Sequence, residues 1–316
     1  MTNEPNDELT VAVLGPGGIG GLLAALLSRA GHRVICLAGD ETAHTLRTSG
    51  IRVRSAVFGD FTAGVEADTE LREPVDACLI AVKATALDAA LERVPPKTLG
   101  DALVVPFLNG VEHAAALRDR YRPDTVAPAT IRAESTRVAP GEIEHATPFA
   151  EIDLTGDTVP GDRLAALAQA LRDAGPATRV LPDETATLWA KMTFLAPFAL
   201  LTTRHGLPLG DVRTRHREEL TALAAETAAV SSACGAPADP DQTLARYDAF
   251  PPQTKSSMQR DAEAGRPLEL DAIGGALLRA AERHGVPVPV ASRVVRELRD
   301  AELTVALGAS ALPVEV

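Results

Sequence analysis

Aromatic side chains are scarce in this chain of 316 residues: they make up 3%, with Trp189 the single tryptophan. Stacking platforms for nucleobases are therefore not expected. A formal net charge of −12 argues further against nucleic acid or an anionic membrane as a partner. No run approaches the ~18 uncharged apolar residues that a membrane span needs. The opening MTNEPNDEL is acidic and polar, unlike a secretory signal. The three cysteines, Cys36, Cys78 and Cys234, are odd in number and lack metal-ligand spacing. Two of them fall in apolar runs, so core thiols of a reduced, cytoplasmic protein are expected, with no metal site. Lysine and asparagine are nearly missing too. Against 27 Arg stand Lys83, Lys97, Lys191 and Lys255, and beyond Asn3 and Asn6 the only asparagine is Asn109. Arginine is in effect always charged, whereas an ammonium can pass a proton, so each lysine carries information.

What the chain has in abundance lies near its start. An apolar run, Leu9 to Leu14, meets Gly15, Gly17 and Gly20, and a helical apolar pattern from Ile19 to Ala30 ends at Gly31 before a second run, Val34 to Ala38. Strand, glycine turn, helix and strand in that order give a G-x-G-x-x-G its meaning. Gly15 permits the tight turn, Gly17 lets backbone approach a pyrophosphate, and Gly20 allows helix and strand to pack closely. The helix-start amides of Gly18, Ile19 and Gly20 would hold the phosphates. The chain is expected to bind a dinucleotide.

The first half alternates strand and helix patterns, as a parallel sheet covered on both faces should. Asp40 to Ser49 reads as helix, and Val75 to Ala84 and Ala102 to Gly110 read as buried strands. Residues 126 to 156 read as shorter strands, an antiparallel extension of the sheet. From Glu184 the pattern is almost all helix, in segments 184–204, 215–234, 253–264, 268–284 and 289–306. The expected fold is an α/β dinucleotide-binding domain over residues 1–182, followed by an α-helical substrate domain over 183–316.

Four polar residues stand where packing does not ask for them. Lys83 and Asn109 end apolar strands, where ligands lie in open α/β sheets. Lys83 reads equally as a strand-end charge in solvent, and Asn109 with Gly110 as a turn pair. Lys191 sits in LWAKMTFLAPFALL, where an ammonium is costly unless paired or wet, or snorkels to the surface. Glu269 opens the segment ELDAIGGALLRAAERHG, and a carboxylate is favoured in a first helical turn whatever its function.

GPGGIG, AVKA, LNGVE, LWAK and KSSMQRDAEAGRPLELDAIGGALLRAAERHGVPVP occur in that order, and together they resemble the ketopantoate reductase family, the 2-dehydropantoate 2-reductases. The resemblance spans residues 9 to about 300. It implies a Rossmann-type domain joined to an all-α domain of the 6-phosphogluconate dehydrogenase C-terminal type, an active site in the cleft between them, a homodimer, and NADPH as cofactor. Carried over by position, Lys191 is the catalytic lysine and Glu269 the catalytic glutamate. Lys83 and Asn109 fall at the junction of cofactor and substrate, and Ser257 and Asp261 match a serine and an aspartate of the substrate site. Lys255 either adds charge beside a substrate carboxylate or serves the surface.

Two departures follow. The family commonly has asparagines four and eight residues after its lysine, where this chain has Leu195 and Ala199, so a less oxygen-rich substrate than ketopantoate is expected. NADPH-dependent members usually have Arg at the end of the second strand, where this chain has Gly39 and Asp40. An acidic residue there binds the free ribose hydroxyls of NADH and repels a phosphate. Arg47 is near enough in sequence to reach over, so both cofactors stay open. The expected reaction is hydride transfer to the carbonyl of a 2-oxo acid, with Lys191 stabilising and protonating the oxygen. Apolar surroundings would make its ammonium a better acid. Glu269 would orient the nascent hydroxyl, and Asn109 and Ser257 would hold the substrate. The alternatives are another β-hydroxyacid or opine-type dehydrogenase on the same frame, or a non-catalytic dinucleotide sensor.

Overall fold

The computed structural model describes residues 8–306. Contacts divide the chain into two units. The first comprises the chain through Leu108 together with His113–Thr187, and the second Asn109–Glu112 together with the chain from Leu188 onward.

The first unit begins with β1 (Thr10–Leu14), α1 (Gly18–Arg29), β2 (Arg33–Leu37) and α2 (Asp40–Ser49), followed by β3 (Ile51–Ser55), β4 (Phe61–Ala63), β5 (Glu66–Asp68) and β6 (Ala77–Ile80). Short helices α3 (Leu87–Leu91) and α4 (Pro96–Leu99) lead to β7 (Leu103–Pro106) and α5 (His113–Arg120). β8 (Ala129–Arg132), β9 (Ser135–Ala139), β10 (Glu142–His145), β11 (Glu151–Leu154), α6 (Gly161–Ala174) and β12 (Ala177–Val180) complete it. The central sheet is parallel throughout, in the order β5, β2, β1, β6, β7. This is the dinucleotide-binding strand order, and its direction of winding reverses between β1 and β6.

Side chains alternate across this sheet with period two. Val11, Val13, Val34, Cys36 and Leu79 join the core under α1, while Ala12, Leu14, Ile35, Leu37, Cys78 and Ile80 join a second core on the other face. Burial pushes the Cys36 and Cys78 thiols up to about 12, so both are inert packing residues. The region from 126 to 156 divides in two. β8 and β11 are antiparallel and continue, with β12, from the β7 edge through a Val104–Val126 bridge and an Ala127 N–H bond to the Val104 carbonyl at 2.9 Å. The remaining strands form a separate sheet, β4, β3, β10, β9, which lies over α1. That second cover explains why α1 is apolar all round, with every residue from Gly20 to Leu27 buried. Gly18 and Gly21 give the cover room: a methyl at Gly18 would strike the Ser135 carbonyl, and one at Gly21 would lie 2.7 Å from Ile143.

The second unit is helical: α7 (Glu184–His205, its first turn in the first unit), α8 (Leu209–Arg215), α9 (Arg217–Ala233), α10 (Pro240–Ala249), α11 (Ser257–Glu263), a π-helical turn over Asp271–Gly275, α12 (Ala276–His284) and α13 (Pro289–Ala306). Helix α10 falls outside the apolar segments read from the sequence. Its start signal is nonetheless plain: Asp239 accepts from the amides of Asp241 and Gln242, with Pro240 as first helical residue. Helix α9 sits among α8, α10, α12 and α13. Its Glu226 accepts from the amides of Val290 and Ala291 at 2.8 Å each, capping α13. Helix α7 runs on through Pro197, which has no N–H to give the preceding turn. One turn earlier, Tyr247 on α10 donates to the Phe194 carbonyl at 2.5 Å. Among the described residues no helix is long and apolar enough to cross a membrane.

Candidate active site

In the first unit, the glycine turn follows β1 where the sheet's winding reverses. Gly15 has φ +84°, donates its N–H to the Leu37 carbonyl at 3.1 Å, and has no room for a methyl beside Val82, just beyond β6. Gly17 is the N-cap of α1, and no side chain caps that end. A Cβ on Gly17 would meet only the Gly15 carbonyl oxygen, 4.0 Å away, so the space before this backbone is open. Gly20 is the reverse case: a methyl would collide with the Gly15 carbonyl oxygen and lie 3.0 Å from the Ala81 methyl. The three glycines thus divide into turn, open approach and close packing. Uncapped amides and the positive end of a twelve-residue helix suit an anion, and the first turn carries no acidic residue. These residues fit the pyrophosphate of a dinucleotide. Of the others proposed beside it, Gly18 makes room for β9, and Ile19 packs its side chain on the core, leaving its amide to the ligand.

Asp40 is exposed in the first turn of α2, directly after β2. Arg47, two turns on, donates to the Ala67 carbonyl at 2.9 Å. It is spent on the edge of the sheet. Lys83 is exposed and follows Val82, the neighbour of Gly15, which sets it beside the glycine turn.

Asn109 belongs to the second unit, and here the structure joins two residues far apart in sequence. Asn109 Nδ2 donates to Glu269 Oε2 at 3.0 Å. Glu269 is 6% exposed, so its carboxylate needs such a partner. The next residue, Gly110, has φ +94°, and a methyl on it would strike the Ala272 carbonyl in the π-helical turn. Gly110 lets the backbone lie close against the π-helical turn, and Asn109 reaches the carboxylate beside it.

Lys191 is half-buried on α7, with Trp189 and Met192 buried on either side. Three, four, seven and eight residues on, its helix face carries Phe194, Leu195, Phe198 and Ala199. Leu195 is half-buried and Ala199 is buried. Phe194 packs with Phe198, Tyr247 and Phe250, centroids 5.8, 4.8 and 5.0 Å away. All four of these side chains are apolar.

Ser257 is exposed at the first residue of α11, open to a ligand. Its neighbour Ser256 is the buried cap of that helix, 2.8 Å from Thr202 of α7. Asp261 is buried, with Arg266 Nε 2.9 Å from its carboxylate. Lys255 is engaged by Glu263 at 2.8 Å, in keeping with the surface reading.

Arg279 was not apparent as a site residue from the sequence. Its guanidinium on α12 reaches Glu112 at 2.7 Å and Asp271 at 3.0 Å. Hydrogen bonds to Glu112 and then Asp271 raise its pKa, and the bond from Arg279 holds the Asp271 carboxyl below the usual carboxylate range. A sequence signal did exist: Glu112 lies in LNGVE and Arg279 in ELDAIGGALLRAAERHG, but nothing in either string says that they meet.

His205, His216 and Glu219 also cluster in the second unit, with ligand-capable atoms within 4.8 Å of one another. The imidazoles are stacked, centroids 3.6 Å apart at 16°, so their in-plane lone pairs do not converge on one ion. Glu219 is already held by His205 at 2.7 Å and Arg293 at 2.5 Å. The cluster ties the end of α7 to α9 and α13.

Comparison with known proteins agrees with this fold. The family described as ketopantoate reductase PanE/ApbA matches residues 11–155, and its C-terminal counterpart matches residues 183–302. The 2-dehydropantoate 2-reductase of Mycobacterium tuberculosis is 30% identical over 297 residues, covering 90% of this chain and 95% of that protein. The crystal structure of 2-dehydropantoate 2-reductase from Methylococcus capsulatus has a TM-score of 0.84 at 28% identity, covering 96% of this chain and all of that one. D-mandelate dehydrogenase, solved with NADH and anilino(oxo)acetate, has a TM-score of 0.85 over 94% of this chain and all of its own, at 18% identity, a likeness of fold.

Proposed function

Because the chain belongs to the ketopantoate reductase family, we propose that it reduces the keto group of a 2-oxo acid to a 2-hydroxy acid, using a nicotinamide dinucleotide. The observation that carries this reading is the bond from Asn109 to Glu269, in the same unit as a lysine set in an apolar helix. A sensor that only binds a dinucleotide needs neither the lysine nor the buried carboxylate. The reduced nicotinamide supplies the hydride when bound. Lys191 stabilises the charge that builds on the carbonyl oxygen and donates the proton to it. Glu269 takes a hydrogen bond from Asn109 and orients the nascent hydroxyl with its other oxygen. The Ser257 hydroxyl and the second Nδ2 hydrogen of Asn109 donate to the carboxylate end of the substrate.

The finer reading concerns both ligands. Asp40, exposed in the first turn of α2, favours the free ribose hydroxyls of NADH, and Arg47 is engaged elsewhere. Phe194, Leu195, Phe198 and Ala199 favour a 2-oxo acid with an alkyl or aromatic side chain over hydroxylated ketopantoate. A mandelate dehydrogenase solved with anilino(oxo)acetate shares this fold, which supports a 2-oxo acid with an aromatic side chain as the substrate.

Cofactor oxidation over a panel of 2-oxo acids tests this. Phenyl- and branched-alkyl 2-oxo acids should exceed ketopantoate in kcat/KM by roughly tenfold or more, about 1.4 kcal/mol of pocket discrimination. Preferred ketopantoate would mean that other side chains replace the missing amides. No oxidation with any 2-oxo acid would sink the enzymatic reading.

A further inference from the structure

We propose that Arg279 is a positioning residue that sets the Asn109–Glu269 pair, an inference that rests on the catalytic reading of Glu269 given above. The pair is built from two short segments. Asn109 lies in a four-residue loop containing a left-handed glycine, and Glu269 lies two residues before a π-helical turn, a geometry often found where a helix serves function.

Arg279 fastens both. Its Nε lies 3.1 Å from each Glu112 oxygen, and its Nη2 lies 2.7 Å from Oε2. On the other side, Nη1 reaches Asp271 Oδ1 at 3.0 Å, while Nη2 reaches Oδ2 at 3.1 Å and the Asp271 carbonyl at 3.2 Å. Glu112 is three residues from Asn109, and Asp271 is two residues from Glu269. One planar group therefore bridges the backbone of both partners close to their own bond. Gly275 leaves the space for it: a methyl there would strike the Asp271 carboxylate and lie 3.0 Å from Arg279 Nη1. Lysine could not replace this fork, because an ammonium cannot span two carboxylates in one plane.

Stability alone does not account for the arrangement. The side chains of Arg279 and Asp271 are 43% and 71% exposed, and ion pairs so exposed add little to folding. Placement of a reacting group is far more sensitive: a displacement of about 1 Å can cost a hundredfold in rate.

The test compares Arg279→Gln with Arg217→Gln, which removes a similarly exposed pair, with Asp248, that touches neither Asn109 nor Glu269. Arg279→Gln should lower kcat by roughly 10–100-fold, leave the KM for dinucleotide unchanged, and shift Tm no more than the Arg217 variant does. Arg279→Lys should not restore kcat. In an Asn109→Ala background, Arg279→Gln should cost almost nothing more, because both act on one bond. Glu112→Gln, a milder change, should lower kcat in the same direction. Undiminished kcat in both Arg279→Gln and Glu112→Gln would overturn the proposal, as would losses that multiply in the double variant. Full activity in Glu269→Ala would instead remove the catalytic reading on which it stands.

Discussion

The glycine turn of the first unit and the Asn109–Glu112 loop of the second both depend on glycine and both lie just after a strand, yet they work in opposite ways. In the turn, function comes from what six consecutive residues lack. Gly15, Gly17 and Gly20 each omit a methyl, and what each omission permits is decided within the turn and the adjoining strand. In the loop, function comes from partners found elsewhere: Glu269 lies 160 positions from Asn109, and Arg279 lies 167 from Glu112. A local motif can therefore announce a cofactor, whereas the second unit has to be folded before its pairings exist.

That contrast can be broken within the turn itself, where the largest effect is expected. Gly17→Val should leave the protein folded, since φ −80° suits any residue and a side chain there meets open space. The same side chain occupies the approach to the phosphates, so titration with the dinucleotide should show no binding. Gly20→Ala should do the reverse. Its methyl runs into the Gly15 carbonyl, an overpacking that costs on the order of 1–3 kcal/mol, and Tm should fall. If Gly17→Val binds dinucleotide normally, the turn is a packing device and the resemblance has misled.

In the second unit a side chain, not its absence, should matter. Lys191→Ala should lower turnover by roughly 10²–10⁴-fold, the range for loss of a general acid. Dinucleotide affinity should change little, because the glycine turn belongs to the first unit. Glu269→Ala should also reduce turnover, and the double variant should lose less than the product of the two. Lys191→Arg keeps the charge but cannot release a proton near neutral pH, so no rescue is expected. Single-turnover absorbance at the reduced-nicotinamide band reads all four. Full rescue by arginine would reduce Lys191 to an electrostatic anchor.

The parallel sheet, α1, α2 and most of the later helices could be read from apolar spacing, because each buries a face whose period the sequence states directly. The four-stranded cover over α1 could not. Its sign was a helix apolar on every side, with Gly18 and Gly21 as points of contact, and that identifies a cover without saying which strands supply it. Asn109, Lys191 and Glu269 stood out as polar residues without a packing reason. Arg279 did not, because one arginine among 27 gives no such contrast. Exposed charge is where sequence is least informative, and only geometry separated Arg279 from its peers.

The smallest expected effect lies at the edge of the first unit, and it asks whether the turn's neighbours are as local in their action as its glycines. Asp40 follows β2 and Gly39 in the first turn of α2, and on the proposed reading its carboxylate would meet the ribose hydroxyls of the dinucleotide. A 2′-phosphate at the same point would face that carboxylate at close range, with Arg47 held by the Ala67 carbonyl. Asp40→Arg removes the repulsion and adds a partner, so the ratio of kcat/KM for NADPH over NADH should rise by about tenfold or more, the scale of one charge-assisted hydrogen bond. The gain should shrink as salt is raised, since both groups are exposed and screened. Adding Arg47→Ala should leave the new preference intact if Arg47 is engaged with the sheet edge. Should it instead remove the NADPH gain, Arg47 swings to the phosphate, and selectivity belongs to α2 as a whole. Loss of NADPH affinity in Asp40→Arg would place the ribose elsewhere, and the glycine turn would then be the part of the nucleotide site that the sequence had located.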